Sequence, residues 1–288
     1  MRRFDYYRPS SVAEASSLLR EHGEGGLLVA GGTDVLVQVK EAGRPVRYVV
    51  SLQGVEGLGG IEEHASGLRI GARTRMCEIA AHPSIQARYT ALSDGASLVG
   101  SVQTRHMATI GGNVCNAAPS ADTSPPLAVL DATAHIVGPG GERALPIVDL
   151  WTGPGRTSLQ PGEVVTHFMI PASEPSSGSH YQRHTPRKVM DIAAVSTAVY
   201  LELDDTGTCT AARVALGAVA PTVVRAPRCE SALVGKPITE ESAAAAAALA
   251  ATEATPISDQ RASAEFRTYL IEVMTRQSIL RAAERARE

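Results

Sequence analysis

A short apolar run that ends on two glycines and an acid, LLVAGGTD at 27–34, constrains the fold of this chain more than any other stretch. Leu27, Leu28 and Val29 read as a strand. Gly31 and Gly32 then turn the chain without a Cβ, which lets the backbone approach a neighbour closely. The pattern recurs in TIGGNVCNAAPSAD at 109–122, where two glycines precede short polar side chains, a proline and a closing acid, with no Lys or Arg inside. For either glycine pair alone, a tight turn needing positive φ is a sufficient reading. Two such turns, each after an apolar segment, point instead to backbone N–H groups converging on an anion, with hydroxyls from Thr33 and Thr109 beside them. Hydrogen bonds and local dipoles then replace a lysine point charge, as a dinucleotide's diphosphate allows. No GxGxxG follows a strand and no GxxxxGK[ST] occurs, so the site is neither of the Rossmann nor of the P-loop kind.

Around these turns the pattern is mixed. Residues 12–20 carry Val12, Ala15, Leu18 and Leu19 at helical spacing behind Ser10 or Ser11 as N-cap, and the glycines at 23–26 end that helix. Strands are predicted at 46–52 and 68–72, a helix from about 75, and another over 89–106. The segment 127–134 leads into a hairpin whose arms, 134–137 and 144–147, flank GPGGER. A loop follows at 153–162, then a strand at 164–170 stopped by Pro171. The Ser-, Pro- and Gly-rich stretch 172–179 reads as a linker and domain boundary. Beyond it lie strands at 193–203 and 211–218 around the turn at Asp204 and Asp205. An alanine-rich helix at 240–253 and a last helix from about 258 follow, the latter with an apolar stripe of Phe266, Tyr269, Leu270, Val273 and Met274 that serves the core before any partner.

A length of 288 residues suits two or three modest domains. A formal charge of −3 with scattered basic residues argues against nucleic acid. The two arginines near the start, Arg2 and Arg3, have no apolar run behind them, and no stretch approaches bilayer length, so the expectation is a cytoplasmic protein without a membrane span. Cys77, Cys115, Cys209 and Cys229 stand too far apart to read as a metal or iron–sulfur ligand set, and free thiols are expected. His180 and His184 are four apart but lie among Ser, Gly and Pro, which disfavours metal ligation. Asp34 is expected to hydrogen-bond within its own turn. Ser120-Ala121-Asp122 has no histidine at readable spacing, so no hydrolytic triad is assigned. No catalytic or metal-binding residue is named.

With these motifs on the page, the chain resembles one family along its length. AGGTD at 30–34, TIGGN at 109–113 and AAPSAD followed by PPLAVLDA are joined, in order, by FDYYRPSSVAEA, LRIGARTRMCEIA, GERALPIVDLW, PGEVVTHFMIP, MDIAAVSTAV and SDQRASAEFR. The family is the FAD-binding medium subunit of the molybdenum hydroxylases, of the carbon monoxide dehydrogenase and xanthine dehydrogenase type. The resemblance implies an α+β fold of the FAD-binding type shared with vanillyl-alcohol-oxidase-like flavoproteins. Two N-terminal α/β subdomains, 1–57 and 58–175, precede a C-terminal domain of antiparallel sheet and helices, 176–288.

The same resemblance implies that FAD is held by Leu28, Val29, Ala30, Gly31, Gly32, Thr33, Asp34 and Val35, with a second set of amides and side chains from Thr109, Ile110, Gly111, Gly112 and Asn113. Asp122 would accept from ribose or ribityl hydroxyls, Val99 and Val165 would lie near the flavin or adenine, and Arg183, where the family often has Lys, near the isoalloxazine. In place of the family's usual glycine before TIGGN the chain has Ala108, and Pro186, Arg187 and Lys188 form an insertion-like loop. The implied activity is electron transfer: a small subunit with [2Fe–2S] clusters supplies electrons to FAD here, and an external acceptor (NAD⁺, O₂ or a quinone type) removes them. A large molybdopterin subunit oxidises the substrate, and a dimer of heterotrimers is expected. The rival readings are a stand-alone FAD reductase or oxidase and an FAD-free assembly subunit.

Overall fold

The computed structural model describes residues 3–41, 43–187 and 189–288, so Arg2 and Lys188 lie outside the described residues. Among the described residues, three larger sheets follow one another along the chain, with a fourth, two-stranded ribbon inserted before the last strand of the second. The first is parallel, built from β1 (Asp5–Tyr7), β2 (Gly26–Val29) and β3 (Tyr48–Ser51), with α1 (Val12–His22) and α2 (Val35–Lys40) as connections. Its central strand β3 is buried at every position, as a parallel strand covered on both faces requires. Ser11 caps α1 by accepting from the Glu14 N–H, and Gly23, at φ 64°, ends it.

The second sheet is antiparallel, in the order β4 (Ile61–His64), β5 (Gly67–Gly71), β10 (Val164–Pro171), β6 (Thr133–Gly138), β7 (Gly141–Pro146). Between β5 and β6 the chain forms α3 (Met76–Ala81), α4 (Pro83–Arg88), α5 (Thr90–Leu98), α6 (Val102–Arg105), α7 (Ile110–Asn116) and α8 (Ser124–Val129). These helices bury the sheet's apolar face, with Ile70, Phe168, Ile110 and Leu127 in one cluster. The third sheet, β11 (Ser177–His184), β12 (Val195–Leu203), β13 (Cys209–Gly217) and β14 (Val224–Arg225), is also antiparallel. It is covered by α9 (Pro227–Leu233), α10 (Glu240–Glu253) and α11 (Ala264–Arg285). The alanines of α10 are core: Ala243, Ala246, Ala247, Ala250 and Ala251 are all buried.

Several expectations are corrected. The helix predicted over 89–106 is broken between α5 and α6, because Gly100 takes φ 51° and Ser101 restarts the helix by capping the Thr104 N–H. The loop predicted at 153–162 is in part a two-stranded ribbon of β8 (Trp151–Gly153) and β9 (Arg156–Thr157). The linker predicted at 172–179 is shorter, since β11 starts at Ser177 and Gly178 sits where a Cβ would strike the Ala282 carbonyl and the Ala286 N–H of the last helical turn. The last helix starts at Ala264, because the Asp259 carboxylate holds the Arg261 and Ala262 N–H groups in a turn before it. Its stripe is split: Leu270 and Met274 are buried, whereas Phe266 and Tyr269 face solvent. The four cysteines are free; Cys209 and Cys229 are buried, Cys77 and Cys115 half-buried.

Two histidines are half-buried in neutral form. Burial, then His135 and Arg69, lowers His167 to about 4, and burial lowers His180 to about 4 against the pull of Asp94. His180 Nδ1 lies 3.1 Å from Ser278 Oγ. Because both folded values fall below the ordinary 6.5, the unfolded chain takes up protons first as pH drops. Their contribution to stability is therefore complete above about pH 6.5 and declines towards pH 4. The urea midpoint is expected to be lower at pH 5 than at pH 7.5, with a smaller difference in His180→Gln; an equal difference in that variant contradicts the assignment to His180.

Candidate functional site

Both glycine turns lie on one seam, between the first sheet and the helices of the second. A Cβ on Gly31 would fall on the Met107 carbonyl oxygen and come within 3.0 Å of Ala108 Cα. The first turn is thus pressed against the residues that lead into the second. A side-chain bond closes the same seam further along: Gln38 Nε2 of α2 donates to Asn116 Oδ1 of α7 at 3.0 Å.

The turns differ in how they use their amides. In the first, the N–H groups of Gly31, Gly32, Thr33 and Asp34 find no acceptor among the described residues, and Gly31, Gly32 and Thr33 are half-exposed. Gly32 takes φ 73°. Such a run of open N–H groups at a positive-φ turn has the donor arrangement of an anion-binding nest. In the second, the N–H groups are committed: Ile110 donates to Thr74 O, Gly111 to Ala72 O and Asn113 to Thr109 O, while Gly112 donates to Thr109 Oγ1. TIGGN is therefore not a strand-to-turn nest like the first. It follows α6 and forms the capped first turn of α7, with Thr109 as N-cap, so its amides already have protein acceptors. What it offers outward is side chains. Asn113 Oδ1 accepts from Thr123 Oγ1 at 2.6 Å, which leaves its amide N–H₂ facing away from that bond.

Asp34 stands at the N-cap of α2, and its side chain makes no capping hydrogen bond among the described residues. It is solvent-exposed by area, and partial desolvation raises its carboxyl pKa. Leu28 and Val29 belong to β2, and Leu28 packs on the first sheet's core. Ala30 and Val35 are half-buried at the two ends of the turn. Val99, at the break after α5, and Val165, on β10, are both members of the central core. Val165 connects to the second turn through the backbone: the next residue, Thr166, accepts the Ala72 N–H, and Ala72 accepts the Gly111 N–H.

Asp122 and Arg183, expected at separate parts of a cofactor, form an ion pair with each other, and their side chains are only 8% and 5% exposed. Tyr181 OH donates to the other carboxylate oxygen at 2.7 Å. Burial raises the Asp122 pKa, against the opposing pull of Arg183 and Tyr181. Arg183 thus meets its carboxylate partner within the protein rather than standing as an unpaired charge. Gly95 packs beneath this point, since a Cβ there would strike the Asp122 carbonyl. Sequence reasoning missed Tyr181, Met107, Gly95 and Thr123; reading 177–184 as a strand would have placed Tyr181 on the same side as Arg183.

An open-amide glycine turn, set in an α+β frame against a helix-capping TIGGN and a buried carboxylate, has the make-up of a site for a phosphorylated cofactor. Comparison with known proteins agrees. Residues 2–173 match the FAD binding domain in molybdopterin dehydrogenase, and residues 180–282 the CO dehydrogenase flavoprotein C-terminal domain. The chain belongs to this family of FAD-binding medium subunits of the molybdenum hydroxylases, and is an oxidoreductase subunit. It is 35% identical to the xanthine dehydrogenase FAD-binding subunit of Escherichia coli O157:H7, over 98% of this chain and 96% of that one. It is 33% identical to the carbon monoxide dehydrogenase medium chain of Afipia carboxidovorans OM5, over 99% and 98%. Among solved structures, reconstituted CO dehydrogenase from Oligotropha carboxidovorans superposes with a TM-score of 0.94, 32% identity and 99% coverage of both chains. Quinoline 2-oxidoreductase from Pseudomonas putida 86 gives 0.92 at 31% identity, covering 100% of this chain and 99% of that one.

Proposed function

We propose that this chain is the FAD-carrying electron-transfer subunit of a cytoplasmic molybdenum hydroxylase. A small [2Fe–2S] subunit and a large molybdopterin subunit are its partners, assembled as a dimer of heterotrimers. The observation that carries this reading is the set of four N–H groups at Gly31, Gly32, Thr33 and Asp34 without protein acceptors, the donor set a diphosphate requires. Bound FAD supplies one- and two-electron chemistry, which links iron–sulfur clusters on a partner to an external acceptor. The chain's own residues bind and orient it. Leu28, Val29, Ala30 and Val35 frame the diphosphate turn, and Thr109 with Asn113 reaches the cofactor from α7, where Ile110, Gly111 and Gly112 keep the helix start close. Asp122 accepts a sugar or ribityl hydroxyl, Val99 and Val165 back the rings, and Arg183 sets the charge beside them. The domain division 1–57, 58–175 and 176–288 and a kinship with vanillyl-alcohol-oxidase-like flavoproteins belong to the same reading.

A stand-alone oxidase is not favoured, because the relatives matched along the whole chain are themselves a medium chain and an FAD-binding subunit. The test is to isolate the chain with the subunits that accompany it and to identify the flavin released by heat. One FAD per chain supports the reading; a folded complex that holds none after incubation with excess FAD overturns it. Asp122→Ala is expected to weaken FAD binding by ~1–3 kcal/mol, the range for a lost hydrogen bond to a charged group, measured by flavin fluorescence titration.

A further inference from the structure

Tyr181 is held at both ends. Its backbone N–H donates to Asp94 Oδ2 of α5 at 3.2 Å, and its hydroxyl donates to Asp122 Oδ1 at 2.7 Å. Asp94 is in turn gripped by Arg285 of α11 at 2.6 and 3.1 Å, and the same guanidinium donates to Ser179 O at 2.7 Å. Tyr181 and Arg183 are two apart on β11, so both side chains leave the same face and meet one carboxylate, each on its own oxygen. A carboxylate oxygen with one donor keeps a second acceptor site, so Asp122 remains able to receive a ligand hydroxyl. Tyr181 is only 2% exposed, and a tyrosine buried to that degree needs a partner for its hydroxyl. The partner here is a charged group rather than a backbone carbonyl.

We propose that Tyr181 is a positioning residue of the FAD site, whose hydroxyl holds the Asp122 carboxylate in the orientation from which it both accepts a cofactor hydroxyl and neutralises Arg183. The proposal rests on the reading of Asp122 as a cofactor contact. The charged and titratable groups around Asp122 are Tyr181 and Arg183 from β11, with the Asp94–Arg285 pair of α5 and α11 behind the Tyr181 backbone. Burial favours the neutral acid, and the hydroxyl and guanidinium oppose it. Removing the hydroxyl therefore makes the carboxyl easier to protonate, and the protonated acid no longer neutralises Arg183.

The experiment is an FAD titration of the flavin-depleted complex between pH 5.5 and 8.5, for the wild type, Tyr181→Phe, Asp122→Asn and the double variant. Phe keeps the ring and its packing, and thermal melts check that each variant is folded. Tyr181→Phe is expected to bind FAD about tenfold more weakly at pH 5.5, the size of one charge-assisted hydrogen bond, and less so at pH 8.5. Asp122→Asn is expected to be weaker by at least as much with a flat profile, and the double variant no weaker than Asp122→Asn. Wild-type affinity in Tyr181→Phe at every pH, or a pH-independent loss that multiplies in the double variant, overturns the proposal and leaves Tyr181 a packing residue. Wild-type affinity in Asp122→Asn overturns the reading of Asp122 itself, and the proposal with it. Should Tyr181→Phe fail to fold, Tyr181→His, which keeps a ring N–H, serves in its place and is held to the same non-additivity with Asp122→Asn.

Discussion

A Gly31→Ala variant is expected to purify without FAD. The new methyl group has no room: it meets the Met107 carbonyl and comes within 3.0 Å of Ala108 Cα, and both are backbone atoms that cannot swing aside as a side chain would. The turn must back away from the start of α7, and the N–H groups of Gly31, Gly32, Thr33 and Asp34 lose their common aim. Losing two charge-assisted hydrogen bonds at ~1.5–3 kcal/mol each weakens binding by at least ~100-fold. Gly32→Val and Gly111→Val fail for related reasons, the first at φ 73°, the second with a Cβ 2.7 Å from Ala72 O. Gly140→Ala is the control, since nothing lies within 4 Å of its Cβ position. Flavin absorbance per polypeptide decides the matter: stoichiometric FAD in Gly31→Ala removes the diphosphate turn from the site.

The second large effect is on stability. Arg267 is 3% exposed on α11, where its guanidinium donates to Ala194 O, to Ala218 O at 3.0 Å and to Asp259 Oδ1 at 2.8 Å. It therefore ties the start of β12, the end of β13 and the turn before α11 to one point. Ala218 has φ 62°, a left-handed conformation that a non-glycine residue keeps only when its surroundings impose it. Truncating Arg267 to Ala leaves the Ala194 and Ala218 carbonyls without this donor and a volume unfilled, while Asp259 keeps the Arg261 and Ala262 N–H groups. The expected loss is about 2–6 kcal/mol, from two carbonyls left unsatisfied at ~1–3 kcal/mol each. Lys restores one charge but not the fork, and recovers only part of the loss. Urea unfolding measures both variants, and a loss in Arg267→Ala below about 1 kcal/mol, as at an ordinary surface position, contradicts this account.

The two glycine turns show what a sequence can and cannot disclose about such a site. An apolar run before Gly31 marks a strand, and paired glycines mark a close approach, and both inferences agree with β2 and the Met107 contact. Which turn keeps its amides open is decided by the carbonyls of Ala72 and Thr74, which reach Gly111 and Ile110 from nearly 40 residues upstream and have no local signature. The first three residues of β11 read as linker because Ser177, Gly178 and Ser179 carry little strand propensity; they are strand where α11 packs down on Gly178. Asp122 and Arg183 could be marked one at a time by resemblance, but a pair 61 residues apart is visible only once β11 lies beside the start of α8. The alanine-rich helix, by contrast, was legible to the residue, from Glu240 to Glu253, because its cap, acidic first turn and composition all favour helix.

The bond between Asp94 and Arg285 spans 191 residues of chain, and this separation has a consequence for biosynthesis. During translation Asp94 and Tyr181 are both made well before α11, and Arg285 comes last, fixing Asp94 to the Ser179 carbonyl. Such long closures come late in folding. A product cut before α11 is therefore expected to hold the Tyr181 backbone through an Asp94 whose own anchor is missing, although Asp122, Tyr181 and Arg183 are already in place.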